Sequence, residues 1–523
     1  MKTRNALLPV VVVAFICMAV LLTSYGLRAE KDGTMLQSLR LFSEILTNAQ
    51  SKYVRPIDAQ KLIRTAIDAM LNELDPHSVY MDEEELKELR IGTRGEFGGL
   101  GITIGLTKEI LTVISPLEGT PAFRAGIIAG DKIVKIEGKS TKGITLKDAV
   151  KKLRGKPGTE VNISVQREGL EEVLEFTIER AIIKIKPVPY SGMVSKDVGY
   201  IRLARFSRDS GIEVGRAVDS LRAVGARKFI VDIRNNSGGL LDQAVQVSDV
   251  FLEKGEEIVS TGGRIPGSSR RFHAIKTSRI KDAPLVVLVN KGSASASEIL
   301  SGAVQDWDRG LVVGTPTFGK GSVQTIIPIS AGGGLKLTTA EWYTPSGRLI
   351  NKPHNPDEDE AAEVDSTARS LEEFHTIGGL KRIVYGGGGI TPDIELTSPE
   401  WSKFGTELYN RRRFFDFSVK YTATHKNIKR PFKAEKSILD EFKSYLKDND
   451  VTPTAAEMDS TLEFIAWMIE QEVSSSLWGT SGKYEAMLSG DTWVKEAVAL
   501  LEMSHVPKDL FALAEKEKAG AEK

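Results

Sequence analysis

Between residues 198 and 314 the chain alternates apolar strands with helices, and one strand leaves little freedom of interpretation. Pro284-Leu285-Val286-Val287-Leu288-Val289 carries no polar side chain, so neither of its faces suits water. Such a strand belongs inside a sheet covered on both sides. Val198 to Leu203 and Phe229 to Ile233 read as neighbouring strands, while 212–224, 242–251 and a run ending near Trp307 carry helical spacing. Strand, tight turn and helix recur, which predicts a layered α/β core.

At 523 residues the chain is long enough for about three or four domains. Acidic and basic residues tie at 70 each, so no charge bias points to nucleic acid. The single cysteine, Cys17, lies in an N-terminal apolar run. Disulfides, cysteine catalysis, CxxC zinc sites and iron–sulfur clusters are thereby excluded. The six histidines form no HxxxH pair, which removes an HExxH zinc site.

Lys2 and Arg4 precede the apolar stretch Ala6 to Leu22, with Ser24, Tyr25 and Gly26 after it. This is the layout of a secretory signal. The run also reaches the short limit of a bilayer-spanning helix, so a retained inner-membrane anchor stays open beside a cleaved signal. Either reading exports the body of the protein, to the periplasm or the outer face of the cytoplasmic membrane. Residues 1–28 are assigned to this segment, 35–92 to a helical region, 93–184 to a small β-barrel, 185–397 to the α/β core and 398–523 to a helical appendage. Within the core, about 352–386 reads as an insertion, acidic and without periodicity from Pro356 to Asp365. Arg411-Arg412-Arg413 reads as a helix face rather than a binding patch.

In the β-barrel segment, Gly98-Gly99-Leu100-Gly101-Ile102 runs into an alternating strand, and Gly130-Asp131-Lys132-Ile133 and Ile136-Glu137-Gly138 follow in order. This segment resembles a PDZ domain of the circularly arranged type found in exported bacterial proteases. Gly99, Leu100, Gly101 and Ile102 match that family's carboxylate-binding loop. Glycines let successive N–H groups converge on a terminal carboxylate, and the next strand offers an edge to an added peptide strand.

Three features of the core converge on acyl transfer. Ser295 stands between Ala294 and Ala296 where a buried strand passes into a helix, whose start supplies free N–H groups. The bland role there, a helix N-cap, could equally fall to Ser297. Lys320 lies between two glycines in Thr317-Phe318-Gly319-Lys320-Gly321, an odd place for a solvated lysine. Arg234 to Gly239 ends in paired glycines that can aim an N–H into a cleft.

Together these motifs resemble the C-terminal processing peptidases, or tail-specific proteases, over about Leu41 to Leu396. Tyr343 to Gly347 and Gly389 to Ile394 match two further motifs of that family. The resemblance implies a crotonase-like α/β core with an inserted PDZ domain, acting as a serine endopeptidase. It places the nucleophile at Ser295, the general base at Lys320, a lysine-orienting glutamine at Gln324 and the oxyanion hole at Gly239 and Ala296. It implies no metal or organic cofactor, and protein or peptide substrates with apolar C-termini. A homo-oligomer or an adaptor is a further partner consistent with it.

The chemistry asks that Lys320 be neutral, which burial promotes; Phe318 is the expected apolar shield. Arg154, at the end of a helix before Gly155, is either a helix-terminal cation or a gate that moves against the loop of Gln324 when a tail binds. Two other classes compete: an inactive PDZ scaffold for exported chain ends, and a crotonase-like enzyme of acyl thioesters. The Ser, Lys and Gln set disfavours the first, and the export signal disfavours the second.

Overall fold

The computed structural model describes residues 34–330, 332–352, 372–397 and 400–521. The expected signal or anchor and the acidic stretch 356–365 lie outside the described residues. The chain divides at Tyr80/Met81 into two compact units. The first holds α1 (34–52) and α2 (Ala59–Asn72), the latter capped by Asp58, whose carboxylate accepts from the Gln60 and Lys61 N–H groups. The short strand β1 (Val79–Met81) lies at the division.

The second unit opens with α3 (Glu83–Arg94), started by a reciprocal Asp82–Glu85 capping box. A small barrel follows: β2 (Glu96–Gly99), β3 (Ile102–Thr107), β4 (Ile110–Pro116), the turn α4 (Pro121–Arg124), β5 (Lys132–Ile136) and β6 (Lys139–Ser140). Then come α5 (Leu146–Leu153), β7 (Glu160–Gln166), β8 (Val173–Glu179) and β9 (Ala181–Lys184). Its sheet runs β3-β4-β5-β7-β8, so β3 is an edge, and β2 pairs with β9 where the chain enters and leaves. Leu100, Leu111, Ile133, Ile163 and Leu153 fill its core.

The α/β core begins with β10 (Tyr190–Met193), β11 (Val198–Arg202), α6 (Ser210–Ala223), β12 (Lys228–Asp232) and α7 (Leu241–Ser248). It continues with β13 (Glu257–Gly262), β14 (Arg270–His273), β15 (Leu285–Val289), α8 (Ala296–Asp306) and β16 (Leu311–Gly314). β17 (Ser322–Pro328), β18 (Gly334–Tyr343), β19 (Glu373–His375), β20 (Ile383–Tyr385) and β21 (Ile394–Glu395) complete it. The central sheet has the order β10-β11-β12-β15-β16-β21, parallel except for β10. β15, the apolar strand, is buried throughout, as its composition requires. β17, β18, β13 and β14 pair antiparallel in a second sheet.

The C-terminal region contains α9 (Lys403–Asn410), α10 (Arg413–Thr424), α11 (Lys436–Asp448), α12 (Ala455–Gly490), α13 (Thr492–Glu502) and α14 (Pro507–Ala521). α12 is interrupted at Trp478 and Gly479, which are not helical. The expected appendage is only half an appendage. α9 to the first part of α12 form a separate core around Phe414, Phe417, Phe442 and Ile465. Val494, Ala497, Leu500, Leu501, Leu510 and Phe511 instead cover Tyr200, Ile230, Val286, Leu288 and Val313 of the central sheet. The opposite face is covered by α6, α7 and α8. Periodicity marks the buried face of a helix but not the surface that buries it.

The barrel's β3–β4 side lies against the helical region. Arg412 approaches Gly105, Val419 approaches Gly130, and Glu118 approaches Gly479. Among the described residues no helix is long and apolar enough to cross a membrane.

Candidate active site

β15 ends at Val289 and the chain turns through 290–294 before α8. Ser293, fully buried, holds this turn: its Oγ accepts from the Asn290 N–H at 3.0 Å and donates to the Ile233 carbonyl at 2.8 Å. Ser295 then adopts φ 55° and ψ −112°, immediately before the first helical residue. A non-glycine residue there is strained, and the turn projects its side chain at the carboxyl edge of the sheet. Ser297 does not fill the N-cap; its hydroxyl donates to the Asn236 carbonyl at 2.7 Å.

The loop after β12 meets this turn. A Cβ on Gly238, where φ is 96°, would lie 2.9 Å from the Ala296 nitrogen and 3.0 Å from Ser295 Cβ, so only glycine lets the two loops touch. Gly239 pairs with Phe206 in an isolated bridge. Among the described residues, the N–H groups of Gly239 and Ala296 donate to no protein acceptor. Two unspent donors thus flank Ser295, the arrangement an oxyanion needs.

Lys320 is partly buried in the loop between β16 and β17. Phe318, expected to shield it, is instead 47% exposed. The loop is fixed by its backbone: the Phe318 N–H donates to the Ser293 carbonyl at 3.0 Å and the Gly321 N–H to Asn351 Oδ1 at 2.5 Å. Gln324 Nε2 donates to Ser322 Oγ at 2.8 Å and Thr338 Oγ1 at 3.2 Å.

Glu298 is the residue that sequence reasoning missed. Its side chain is fully buried, and both oxygens are doubly used. Oε1 accepts from Thr317 Oγ1 at 2.6 Å and the Gly319 N–H at 2.7 Å. Oε2 accepts from the Ser295 N–H at 2.7 Å and the Lys320 N–H at 3.0 Å. One carboxylate therefore ties the serine turn to the lysine loop. Burial pushes its carboxyl above the ordinary value, against the lowering pull of its four donors. The signal was present as a capping-box spacing, Ser295-x-x-Glu298.

A second buried carboxylate anchors the loop after β12. Asp232, at the end of β12, binds Arg234 at 2.6 Å, Arg202 at 3.0 Å and the Tyr200 hydroxyl at 2.7 Å. Arg234 also binds Asp491, just before α13, at 2.8 Å. Burial alone would raise the Asp232 carboxyl, but Arg234 and Arg202 bring it down to about 2. The C-terminal region thus grips the second residue after β12.

In the barrel, the Leu100 and Gly101 N–H groups donate to no acceptor among the described residues. Thr120 packs against Gly101, where φ is 78°, and its hydroxyl donates to the Gly101 carbonyl at 3.1 Å. Gly99 lies in β2, and Ile102 begins the edge strand β3. Arg154 shares no partner with Gln324 among the described residues: it binds Glu88 of α3 at 2.5 Å and stacks 4.6 Å from the Phe97 ring. Among the described residues no cluster of three metal-ligating side chains occurs.

Family comparisons agree with this architecture. Residues 197–359 match the peptidase family S41 and 112–167 a PDZ domain. Residues 24–85 match an activating protease CtpB N-terminal domain, and 404–463 a C-terminal helical domain of a probable PDZ-protease. A carboxy-terminal-processing protease of Bartonella bacilliformis is 43% identical over 340 residues, 64% of this chain and 78% of that protein. A probable CtpA-like serine protease of Staphylococcus aureus is 40% identical over 307 residues, 58% of this chain and 60% of that one. Among solved structures, a photosystem II D1 C-terminal processing protease aligns with a TM-score of 0.36 at 30% identity, over 67% of this chain and 85% of that one. On the extent of the Bartonella match, the chain belongs to the carboxy-terminal-processing proteases of peptidase family S41, serine-type peptidases, here with a PDZ domain.

Proposed function

We propose that this peptidase binds the C-terminal tails of exported proteins on its PDZ loop and cleaves the chain by a Ser295–Lys320 acyl-enzyme mechanism. The observation that carries the reading is the pair of unspent N–H groups, Gly239 and Ala296, beside a strained serine whose turn is tied by Glu298 to the lysine loop. Neutral Lys320 takes the Ser295 proton as Oγ attacks the scissile carbonyl, and the oxyanion is held by the two N–H groups. Lys320 returns the proton to the leaving amine as the C–N bond breaks. Water, deprotonated by Lys320, then releases the acyl group. Gln324, the third residue of β17, orients the amine once it turns from Ser322.

The tail seat is Gly99 to Ile102, with the unspent Leu100 and Gly101 N–H groups directed at the terminal carboxylate and β3 as the edge to which the tail adds. Export, to the periplasm or the outer face of the cytoplasmic membrane, rests on the residue order Lys2, Arg4 and Ala6 to Leu22. Substrates are then envelope proteins, and an adaptor or a second copy is a compatible partner.

The test is cleavage of a loosely folded protein with an apolar C-terminus. Ser295→Ala, Lys320→Ala and Lys320→Arg should each lose activity with circular dichroism unchanged, and the double alanine variant should be no worse than either single one. Full activity in any of them removes the dyad.

A further inference from the structure

The middle residue of the Arg411-Arg412-Arg413 cluster leaves the helix face on which the sequence placed it. Arg411 pairs with Glu407 of its own helical region. Arg412, half-buried and with φ 55° just before α10, turns instead to the barrel. Its Nη1 and Nη2 would stand 2.8 and 3.1 Å from a Cβ on Gly105. No side chain larger than hydrogen fits there without displacing the guanidinium. Gly105 is the fourth residue of β3, the edge strand beside the tail seat.

Strand geometry then fixes which part of a bound tail meets this arginine. This step rests on the tail-binding reading above. With the terminal carboxylate at Leu100 and Gly101, a tail lying along β3 must run antiparallel to it. Its last residue falls opposite Ile102, and stepping back one at a time reaches Thr103, Ile104 and Gly105. β3 itself is regular here; the irregularity between Thr103 and Ile104 is taken up in β4, where the partners are Ser115 and Val113. The residue opposite Gly105 is therefore the fourth from the substrate's end.

Directly opposed residues project to the same face of a sheet. Ile102 and Ile104 pack on the barrel core, so Gly105 faces outward, towards Arg412. Opposed Cα atoms lie about 4.5–5.5 Å apart, within the reach of a glutamate. Arg412 forms no ion pair among the described residues, although Asp416 and Glu472 both feel its charge. A half-buried guanidinium without a carboxylate partner is a ready seat for one.

We infer that Arg412 is a specificity residue of the tail groove, selecting an acidic side chain at the fourth position from the substrate's C-terminus. The helical region thereby supplies part of the binding site that the barrel alone would leave open.

The experiment uses full-length Ser295→Ala protein and fluorescent ten-residue peptides with an apolar C-terminus, carrying Glu, Ala or Lys at the fourth position from the end. Anisotropy should place Glu about five- to tenfold tighter than Ala, as a charge-assisted hydrogen bond allows, with Lys weakest. Arg412→Ala should bring Glu and Ala together, and Arg412→Glu should reverse the order in favour of Lys, an outcome misfolding cannot produce. A flat fourth position, or a Glu preference that survives both variants, overturns the inference. A C-terminally amidated peptide separates the two readings. If it binds as well as the free acid, tail recognition fails; if it does not bind while the fourth position is flat, only the role of Arg412 fails.

Discussion

Ser295 is held in an unfavourable backbone conformation by contacts on three sides: Gly238, the start of α8 and the Glu298 carboxylate. Glu298 needs both oxygens, each as a double acceptor. Glutamine offers one acceptor oxygen and would turn its NH2 towards two donors. Glu298→Gln should therefore loosen either the serine turn or the Gly319–Lys320 backbone. We expect kcat to fall about 100-fold, the scale of a small misplacement of reacting groups, with KM little changed; equal kcat in the variant would refute the tie. The carboxylate at Asp232 makes a different prediction. Its folded value, about 2, lies below the usual 3.8, so its contribution is present above pH 4 and is lost as pH falls towards 2. Linkage puts this at about 2 kcal/mol. Asp232→Asn should lower the melting temperature at pH 7 and flatten the acid limb below pH 4, because Arg202 and Arg234 lose their shared partner. The capping spacing of Glu298 is legible in the sequence. Its other three donors, about twenty residues further on, are not, because nothing local announces which loop will fold over a helix start.

At the level of elements, the central sheet was legible because an all-apolar strand can only be interior, and β15 is. The barrel's edge strand was legible from its glycine loop. What escaped was the origin of the helices on the sheet's second face. α13 and α14 come from a region that reads as an appendage, and their apolar positions carry no label for their partner. Leu501 is fully buried against that face. Leu501→Ala should cost about 2–5 kcal/mol in urea unfolding, the cost of a core substitution, and a cost below 1 kcal/mol would return α13 to the periphery. A chain stopped at Gly490 should be insoluble although every residue proposed for catalysis is present, since Tyr200, Ile230, Val286 and Leu288 would stand uncovered.

Across the molecule, the barrel meets its neighbours from two directions: through Arg154, which binds Glu88 of α3 and stacks on Phe97 of β2, and through Arg412, Val419 and Gly479 along the β3–β4 side. Arg154 as a strut and Arg154 as a gate differ in what its loss does. A strut predicts that Arg154→Ala lowers the melting temperature and leaves turnover at saturating substrate unchanged. Release from Glu88 on tail binding predicts the opposite, a several-fold loss of turnover on tailed substrates with tail affinity and melting temperature nearly unchanged. We expect the second pattern, and the first would make the arginine purely structural.

The position of α13 and α14 also has a consequence for biosynthesis. A chain emerging from the ribosome exposes the serine turn and the lysine loop well over a hundred residues before the helices that close the sheet exist. Throughout that interval the residues proposed for catalysis have no rigid floor beneath them. Synthesis order should therefore act as a timer: copies terminated before residues 491–514 are made should show no peptidase activity in a cleavage assay, because the sheet under the serine turn lacks its second cover.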